Sequence, residues 1–306
     1  MIYHIYANRS NIGDWLSAKG IQKLLSPLEI TECLCDVPFL KETMKRLNKA
    51  TEKDLIIIGG GGLLMDYFIP FWEGFKPVAN SVPFCIWGIG YFDLKNEPSL
   101  PPGNLIEGII NKSKLCIVRD ELSRSYLPHC NLPAPVPCPS INVIDKVLTN
   151  GKNILHVDNY TTAGKEAYNA MCTAAENFAA DNKIIYRQTN NRILKNSDTE
   201  MTQILSLYQN SEYVISSALH GCIIGVVMGL KVLAVSGDRK IDAFMEAVGL
   251  KEWVVDVSEI EMIPERLEKL HLQKNQELVL KDIRKKNLVV SKMIREVAAR
   301  SSLKIL

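Results

Sequence analysis

The sequence predicts an α/β protein in which two doubly wound, parallel-sheet domains face each other across a cleft. Short apolar or β-branched runs alternate with longer helical patterns through the 306 residues, which is typical of repeated βα units. A proline-rich stretch interrupts this alternation once, and the pattern then restarts. A chain of this length is too long to fold around one small core, which favours two domains. With 47% apolar residues, it is also too apolar to be disordered.

The first half of the chain contains five strand-like runs. They are Ile2–Ala7, Glu29–Leu34, Asp54–Ile58, Phe84–Trp87 and Leu115–Val118. Between them, apolar residues recur at helical spacing, which predicts crossover helices. The predicted helices are Asp14–Leu25, Leu40–Lys49 and Leu105–Asn111. The segment after Gly62 has no definite assignment, and the other elements together predict one doubly wound domain.

The second half repeats the alternation and ends in a long helix. The predicted strands are Asn153–Val157, Ile184–Arg187, Tyr213–Ile215 and Lys231–Val235. The predicted helices are Lys165–Ala180, Thr199–Tyr208, Leu219–Met228, Ile241–Val248 and, at the end, about Leu278–Ala299. An apolar stripe along the final helix is expected to face the protein. The stripe consists of Val279, Ile283, Val290, Met293 and Val297.

The proline-rich stretch Leu132–Pro139 marks the expected domain boundary. Proline cannot continue a helix or a central strand, so this stretch is predicted to be an extended connection. We therefore predict an N-terminal domain at 1–140 and a C-terminal domain at 141–275. The final helix, at 276–306, is expected to pack back across both domains. Open parallel sheets bind ligands at the carboxyl ends of their strands, so site residues are expected just after strands.

Composition argues against several classes of protein. The formal charge of +2 supplies no strong field for nucleic acid and no basic tail for an anionic membrane. The eight cysteines contain no C-x-x-C pair, which indicates free thiols in a reducing compartment and no metal site. The N-terminal run lacks the features of a secretory signal, and no apolar stretch reaches membrane-spanning length. We therefore expect a cytoplasmic protein.

The sharpest local feature is a buried strand that runs into four glycines, Gly59–Gly62, followed by Asp66. Glycines let a backbone or a ligand approach without a Cβ in the way. The run lacks the third glycine of a dinucleotide-binding fingerprint and the Gly-Lys-Ser/Thr of a P-loop. Two interpretations stay open, a tight structural turn and a loop that lines the cleft through Gly60 and Gly61.

Polar groups follow two other predicted strands of the first half. Asn11 and Asp14 belong to an Asn-Ile-Gly-Asp run after the first strand, where they can cap the next helix and face the cleft. Capping alone explains these residue types equally well. Arg119 ends the fifth strand beside Asp120, and it either pairs with that carboxylate or reaches an anion.

The most informative segment lies in the second half. A buried strand runs into Ser216 and Ser217, and His220 begins an apolar, glycine-rich helix. Backbone N–H groups at a helix start, hydroxyls and an imidazole together suit a phosphate or a carboxylate. A histidine at such a junction is also often a satisfied structural residue, so these residues alone leave both interpretations open.

Six segments together occur in the order found in one known family. They are 11–14 (Asn-Ile-Gly-Asp), 58–66 (Ile-Gly-Gly-Gly-Gly-Leu-Leu-Met-Asp), 118–123 (Val-Arg-Asp-Glu-Leu-Ser), 216–221 (Ser-Ser-Ala-Leu-His-Gly), 229–232 (Gly-Leu-Lys-Val) and 240–244 (Lys-Ile-Asp-Ala-Phe). Each is a weak signal alone, but the ordered set covers nearly the whole chain. The sequence resembles the polysaccharide pyruvyltransferase family.

The resemblance implies two Rossmann-like domains of glycosyltransferase-B type, with the acceptor on the first domain and the donor on the second. It implies a transferase of capsule or exopolysaccharide biosynthesis that uses phosphoenolpyruvate. The expected product is a cyclic ketal on two hydroxyls of a hexose, such as the 4- and 6-hydroxyls of galactose, in a polysaccharide or a lipid-linked precursor. No cofactor is expected besides this co-substrate. A lipid-linked acceptor also implies peripheral contact with the inner face of the membrane.

The resemblance assigns roles to single residues. His220 matches the family's histidine, which is implicated in donor binding and catalysis. Because an unperturbed imidazole titrates at about pH 6.5, His220 is our candidate acid and base. Asp14 is the candidate that orients or deprotonates an acceptor hydroxyl. The other expected substrate-binding residues of the motifs are Asn11, Gly60, Gly61, Asp66, Arg119 and Ser217.

One position departs from the family pattern. Many members have an arginine two positions before the histidine, whereas Ala218 stands here. Phosphoenolpyruvate carries a phosphate and a carboxylate, so another cation must bind it. The candidates are His156, Arg187, Arg192, Arg239 and Lys240.

Three rival functions fit parts of the sequence. A sugar-nucleotide-dependent glycosyltransferase or epimerase would use the same fold, because fold alone does not determine the donor. A non-catalytic sugar-binding protein is favoured by Ala218 and by the ordinary net charge. A nicotinamide-dependent oxidoreductase fits least well, because its glycine fingerprint is incomplete.

Overall fold

A computed structural model of the chain describes residues 1–97, 103–147, 151–195 and 197–303. The first half forms a five-stranded parallel sheet flanked by helices. Its strands are β1 (Ile2–Tyr6), β2 (Ile30–Leu34), β3 (Leu55–Leu64), β4 (Phe84–Tyr91) and β5 (Leu115–Val118). Its helices are α1 (Ile12–Leu25), α2 (Val37–Leu47), α3 (Ile69–Val78), α4 (Gly103–Ile110) and α5 (Glu121–Ser125).

The second half forms a second five-stranded parallel sheet. Its strands are β6 (Asn153–Val157), β7 (Ile185–Thr189), β8 (Tyr213–Ser216), β9 (Lys231–Ser236) and β10 (Val254–Asp256). Its helices are α6 (Tyr160–Asn182), α7 (Asp198–Gln209), α8 (Leu219–Met228), α9 (Arg239–Ala247), α10 (Ile263–Lys269) and α11 (Glu277–Leu303).

The two sheets have the same strand order. When the strands of each half are numbered from one to five along the chain, the order across each sheet is 2-1-3-4-5. In such a sheet a crevice opens at the carboxyl ends of strands one and three, where the crossovers change direction. Residues that follow β1, β6 and β8, together with residues of β3, line a single cleft. The two crevices therefore open onto the same space.

The predicted fold class is confirmed, and the structure differs from the sequence patterns at a few elements. The glycine run does not end its strand, because β3 continues through Gly59–Gly62 with a register shift between Gly61 and Leu64. The unassigned segment after Gly62 contains α3, whose aromatic side chains enter the core of the first half. The sequence patterns do not predict α5, α10 or β10, because elements of seven residues or fewer carry too little periodicity.

Helix α11 buries part of the predicted stripe: Ile283 and Val290 are buried, and Val279 and Val297 are partly buried against the cores. Met293 is 40% exposed, and the buried face uses neighbouring positions. The buried residues of this face are Leu280, Ile283, Asn287, Val290, Ser291, Ile294 and Ala298. The apolar pattern alone was misleading because two polar side chains belong to the buried face.

This helix contacts the cores of both halves. Leu280 and Ile283 join the cluster that contains the second sheet, whereas Val290 and Ile294 join a cluster with the first sheet. Between them, the buried amide of Asn287 accepts a hydrogen bond from the indole N–H of Trp87 at 3.2 Å and donates one to the carbonyl of Pro137 at 3.1 Å. The amide thus connects α11, the first sheet and the proline-rich connection.

Two short backbone bridges also join the halves, one on each side of β8. Asn11 pairs with Arg192 in one bridge, and Leu94 pairs with Asp238 in the other. Each bridge has two flanking backbone hydrogen bonds of 2.8 to 3.1 Å. Loops at the carboxyl edges of the two sheets are therefore held against each other on both sides of the cleft.

We expect Asn287→Ala to lower the free energy of unfolding by about 2–4 kcal/mol, because it leaves two buried polar groups without partners. Urea denaturation measures this loss. The matched control is Lys286→Ala, which alters an exposed neighbour on the same helix and should stay within about 0.5 kcal/mol of wild type. An Asn287→Ala variant as stable as the control would show that the amide does not hold the helix in place.

Candidate active site

The cleft between the two sheets is the candidate active site. It has a volume of about 430 Å³ and is lined by residues from both halves of the chain. A larger groove of about 650 Å³ lies at the amino ends of β4 and β5, against the last turns of α11. Ligands of open parallel sheets bind at the carboxyl ends of the strands, which favours the smaller cleft. Seven of the predicted site residues line it, namely Asn11, Asp14, Gly61, Arg119, Arg192, His220 and Lys240.

His220 lies in the first turn of α8 and packs directly on α1. A Cβ at Gly13 would lie only 2.1 Å from Nδ1 of the imidazole, so the ring and the helix backbone are in close contact. The ring's Nε2 is 3.2 Å from the hydroxyl oxygen of Ser17. Burial, and then the charges of Arg119 and Lys240, lower the pKa of His220 to about 3. The imidazole is therefore neutral at pH 7, and the ordinary pKa assumed from the sequence does not apply.

Asp14 lies in the first turn of α1 and lines the same cleft as His220. Asn11 caps this helix by accepting a hydrogen bond from the Gly13 N–H at 2.8 Å, so the capping and cleft-lining interpretations of Asn11 are both correct. Burial raises the pKa of Asp14 to about 7, although Arg119 and Lys240 partly oppose the shift. Asp14 is thus a group of the cleft that changes charge near neutral pH.

The glycine run supports this arrangement from β3. Gly61 has a φ of +93°, and a Cβ there would lie 2.4 Å from the Asp14 carboxylate. Gly60 has a φ of +82° and faces Ser17 rather than the cleft. The run therefore lines the cleft at Gly61 and packs against α1 at Gly60. The interpretation as a tight structural turn is wrong, because β3 continues through all four glycines.

Two cations converge on the same side of His220. Arg119 is 5% exposed; its Nε donates to Asp120 at 3.0 Å and its Nη2 to the carbonyl of Tyr91 at 3.1 Å. Lys240 pairs with Asp238 and lies 4.0 Å from the centre of the Phe92 ring. Both side chains line the cleft. Arg119 thus pairs locally and also faces the space where a ligand would lie.

The opposite side of the cleft is polar and carries one carboxylate and one guanidinium, those of Asp158 and Arg192. The strand order places β9, which precedes Lys240, on one side of β8, and places β6 and β7 on the other. Loops after β6 and β7 contribute Asn159, Asn190 and Asn191 to the cleft wall. The amide nitrogen of Asn191 is buried without a hydrogen-bond partner among the described residues. The cleft therefore has a cationic end and an amide-rich end, with His220 between them.

The sequence model of one family, described as polysaccharide pyruvyl transferase, matches residues 11–239. The chain belongs to this family. The match begins at Asn11 and ends at Arg239, so it includes the cleft residues contributed by both halves except Ala7, which precedes it, and Lys240, which lies one position beyond it. A search of curated protein sequences finds no match.

Solved structures share the fold of this polysaccharide pyruvyl transferase family member at low identity. UDP-GlcNAc 2-epimerase of Methanocaldococcus jannaschii is 10% identical, with a TM-score of 0.53 and coverage of 90% of this chain and 93% of that one. Anabaena HepE, solved with UDP and glucose, is 10% identical, with a TM-score of 0.54 and coverage of 97% and 99%. An uncharacterised Klebsiella pneumoniae protein is 13% identical, with a TM-score of 0.54 and coverage of 83% and 91%. These similarities show a glycosyltransferase-B-like fold.

Three of the candidate cation sites of this pyruvyl transferase family member lie outside the cleft. His156 is fully buried in β6 beside Tyr186, and burial lowers its pKa to about 4, so it is neutral and cannot bind an anion as a cation. Arg187 is exposed on β7 and does not line the cleft. Arg239 pairs with Asp93 at 2.9 Å, next to one of the backbone bridges.

Three further predicted residues also lie away from the cleft lining. Ser217 is buried, and its hydroxyl accepts a hydrogen bond from the Asn159 N–H at 2.8 Å, so it shapes the loop after β6. Asp66 is exposed at the start of a short helical turn that follows β3. Gly60 is covered by α1, as described above.

Sequence reasoning missed several residues that the structure brings to His220 or to the cleft wall. Gly13 lies within the Asn-Ile-Gly-Asp motif, and its lack of a side chain leaves space for the imidazole. Ser17 and Cys138 contact Nε2 from distant parts of the chain, and no local pattern marks them. The loop asparagines follow strands, so the rule that sites lie after strands could have found Asn159 and Asn190.

No helix in the four described ranges combines the length and the hydropathy that a membrane span requires.

We expect Asp14→Asn to stabilise the protein at high pH. The folded-state pKa of about 7 exceeds the unfolded value of about 3.9, so between these values the folded protein holds a proton that the unfolded chain releases. The carboxyl therefore costs stability as pH rises from 4 to 7. The variant should be more stable than wild type by roughly 2–4 kcal/mol at pH 8, and this difference should shrink towards pH 4.

Denaturation at pH 8 and at pH 4 measures this difference for Asp14→Asn. Asp66→Asn, which replaces an exposed carboxylate, is the matched control and should show no such trend. Equal stability of wild type and Asp14→Asn at both pH values would contradict the raised pKa of Asp14.

Proposed function

We propose that the chain transfers the pyruvyl group of phosphoenolpyruvate to two hydroxyls of a hexose as a cyclic ketal, with release of phosphate. The observation that carries the proposal is the convergence of Arg119, Lys240, Asp14 and His220 in one cleft of a polysaccharide pyruvyl transferase family member. Two cations suit a donor with two anionic groups, and the imidazole and carboxyl suit proton transfer.

The cationic end is proposed to bind phosphoenolpyruvate. Its phosphate and carboxylate would lie between Arg119 and Lys240, which supply the charge that Ala218 does not. The described hydrogen bonds of Arg119 use Nε and Nη2, which leaves Nη1 available to a ligand. Phe92 restricts the space around Lys240 on the same side.

The amide-rich end is proposed to bind the acceptor sugar. Asparagine side chains offer both donors and acceptors, which matches a hexose with several hydroxyls and no charge. Asn159, Asn190 and Asn191 all lie on the side of β8 away from Lys240. The two acceptor hydroxyls would then approach the donor past His220 and Asp14. This arrangement puts the acceptor partly on the second half, beyond the side expected for it from the sequence.

The proton steps follow from the chemistry of the enol. Protonated Asp14 gives its proton to C3 of phosphoenolpyruvate, which makes C2 electrophilic. A sugar hydroxyl adds to C2 and passes its proton to the neutral His220. Phosphate then leaves with that proton, and the second hydroxyl closes the ketal and returns a proton to Asp14. A carboxyl with a pKa of about 7 and a neutral imidazole are in the required forms at neutral pH.

The finer features of the reaction are proposed on the same basis. The acceptor is a hexose, with the 4- and 6-hydroxyls of galactose as the first choice, in a capsule or exopolysaccharide or its lipid-linked precursor. The reaction requires no cofactor beyond phosphoenolpyruvate as co-substrate and takes place in the cytoplasm at the inner membrane face. A sugar-nucleotide-dependent enzyme is the second candidate, since the fold match to Anabaena HepE is to a structure solved with UDP and glucose.

Calorimetry should distinguish the two candidates without knowledge of the acceptor. We expect phosphoenolpyruvate to bind wild type and UDP-glucose, UDP-galactose and UDP-GlcNAc not to bind. Arg119→Lys keeps the charge beside Asp120 but removes the guanidinium fork, so it should weaken phosphoenolpyruvate binding about tenfold or more. Arg187→Lys, the same change outside the cleft, is the control and should bind as wild type does. Binding of a UDP-sugar with no response to phosphoenolpyruvate would replace the proposed function with the second candidate.

We expect His220→Ala to lower the rate of phosphate release from phosphoenolpyruvate about 10²–10⁴-fold, because it removes the proposed base. The assay uses a β-galactoside acceptor and saturating donor. His271→Ala, at an exposed histidine outside the cleft, is the control and should retain full activity. Melting curves of all three proteins must coincide. A loss of less than tenfold would leave His220 as a donor contact without a role in proton transfer.

A further inference from the structure

His220 is held on one edge by groups that lie outside the cleft. Its Nε2 is 3.2 Å from the Ser17 hydroxyl and 3.6 Å from the Cys138 sulfur. Ser17 is fully buried and Cys138 is 2% exposed, and neither lines the cleft. Nδ1 has no hydrogen-bond partner among the described residues. It is not one of the fully buried atoms that lack a partner, so part of its surface is exposed. The two ring nitrogens are therefore in different environments.

The protons of this buried cluster can be assigned from the distances. The Ser17 hydroxyl lies 2.7 Å from the Gly13 carbonyl, which only accepts, so the single hydroxyl proton is donated there rather than across 3.2 Å to Nε2. The hydroxyl oxygen then keeps two lone pairs. One can accept from Nε2, and the other can accept from the Cys138 thiol at 2.9 Å.

The remaining member of the cluster agrees with this assignment. Ser140 donates its hydroxyl proton to the Cys138 sulfur at 3.2 Å, so the thiol accepts one hydrogen bond and directs its own proton at Ser17. In this arrangement each N–H, O–H or S–H group donates to one acceptor, and no two donors point at each other. In the opposite tautomer, the unprotonated Nε2 would face the lone pairs of Ser17 at 3.2 Å, and its only donor among the described residues would be the more distant Cys138 thiol at 3.6 Å.

We infer that Ser17 is a positioning residue that holds His220 in the Nε2–H tautomer and leaves Nδ1 as the proton-accepting nitrogen of the cleft. The catalytic meaning of this tautomer rests on the proposed function, in which His220 accepts a proton from the acceptor hydroxyl. Ser17 does not touch the reacting atoms. It acts through the ring, as second partners of functional histidines commonly do.

The backbone around Ser17 fixes its side chain. Ser17 lies one helical turn after Gly13, so its hydroxyl reaches the Gly13 carbonyl along the helix axis. Gly60 covers Ser17 from β3, and a Cβ on Gly60 would lie 2.8 Å from the Cβ of Ser17. The close contacts at Gly13 and Gly60 thus hold the ring and the hydroxyl in register with each other.

The tautomer can be measured without any ligand. Long-range ¹H–¹⁵N NMR spectra of the imidazoles distinguish a protonated from an unprotonated ring nitrogen. The chain has five histidines, and the signals missing from His220→Ala identify His220. In wild type at pH 7 we expect one protonated nitrogen, Nε2, and one unprotonated nitrogen, Nδ1. Ser17→Ala should shift His220 to a mixture of tautomers, because the acceptor of the Nε2 proton is gone.

Cys138→Ala is the matched control, since it removes the other neighbour of Nε2. It should keep the wild-type nitrogen signals, because Ser17 still accepts from Nε2. Both substitutions reduce volume, and alanine is the best helix former at position 17, so we expect both variants to fold. Retention of the Nε2–H tautomer in Ser17→Ala would overturn the inference, and so would its loss in Cys138→Ala.

Kinetics provide a second test, because a purely structural role of Ser17 would not lower kcat while leaving substrate binding unchanged. Ser17→Ala should lower kcat about 10–100-fold and leave the Kd for phosphoenolpyruvate nearly unchanged. An equal loss in binding and in kcat would overturn the positioning role. If wild type neither binds nor turns over phosphoenolpyruvate, the proposed function fails, but the NMR result still decides whether Ser17 sets the tautomer.

Discussion

The close contact between helix α1 and His220 is the constraint on which the rest of the cleft depends. Helix α1 follows the first strand of the first sheet, yet Ile12, Trp15 and Leu16 pack in the core of the second half. The same helix presents Gly13 to the imidazole with no room for a side chain. The contacts that pack the two halves together therefore also fix the position of the histidine. A change in one is expected to alter the other.

The charges of the cleft create a positive potential around Arg119 and Lys240. Arg119 and Lys240 each have a carboxylate partner, but both also face the cleft and disfavour a further positive charge on His220. Burial meanwhile keeps a proton on Asp14 up to about pH 7. An anion beside Arg119 and Lys240 would offset their positive potential, and it would favour the protonated form of Asp14.

The sequence predicted the parts of the site that follow from strand ends and missed the parts that follow from packing. Asp14, Arg119 and His220 come directly after strands or at helix starts, so the topology places them correctly. His156 was expected at a strand end, but it lies inside β6, where its side chain is buried and neutral. Ser17 reaches Nε2 across 203 residues of sequence, and no local pattern could show that contact.

The paired bridges at Asn11–Arg192 and Leu94–Asp238 resist separation of the two halves of the cleft. Separating the halves would break four backbone hydrogen bonds, at roughly 0.5–1.5 kcal/mol each, in addition to the contacts of α11. The backbone hydrogen bonds alone therefore oppose hinge opening by roughly 2–6 kcal/mol. A ligand that requires a wider gap than this one binds more weakly by the free energy of that opening.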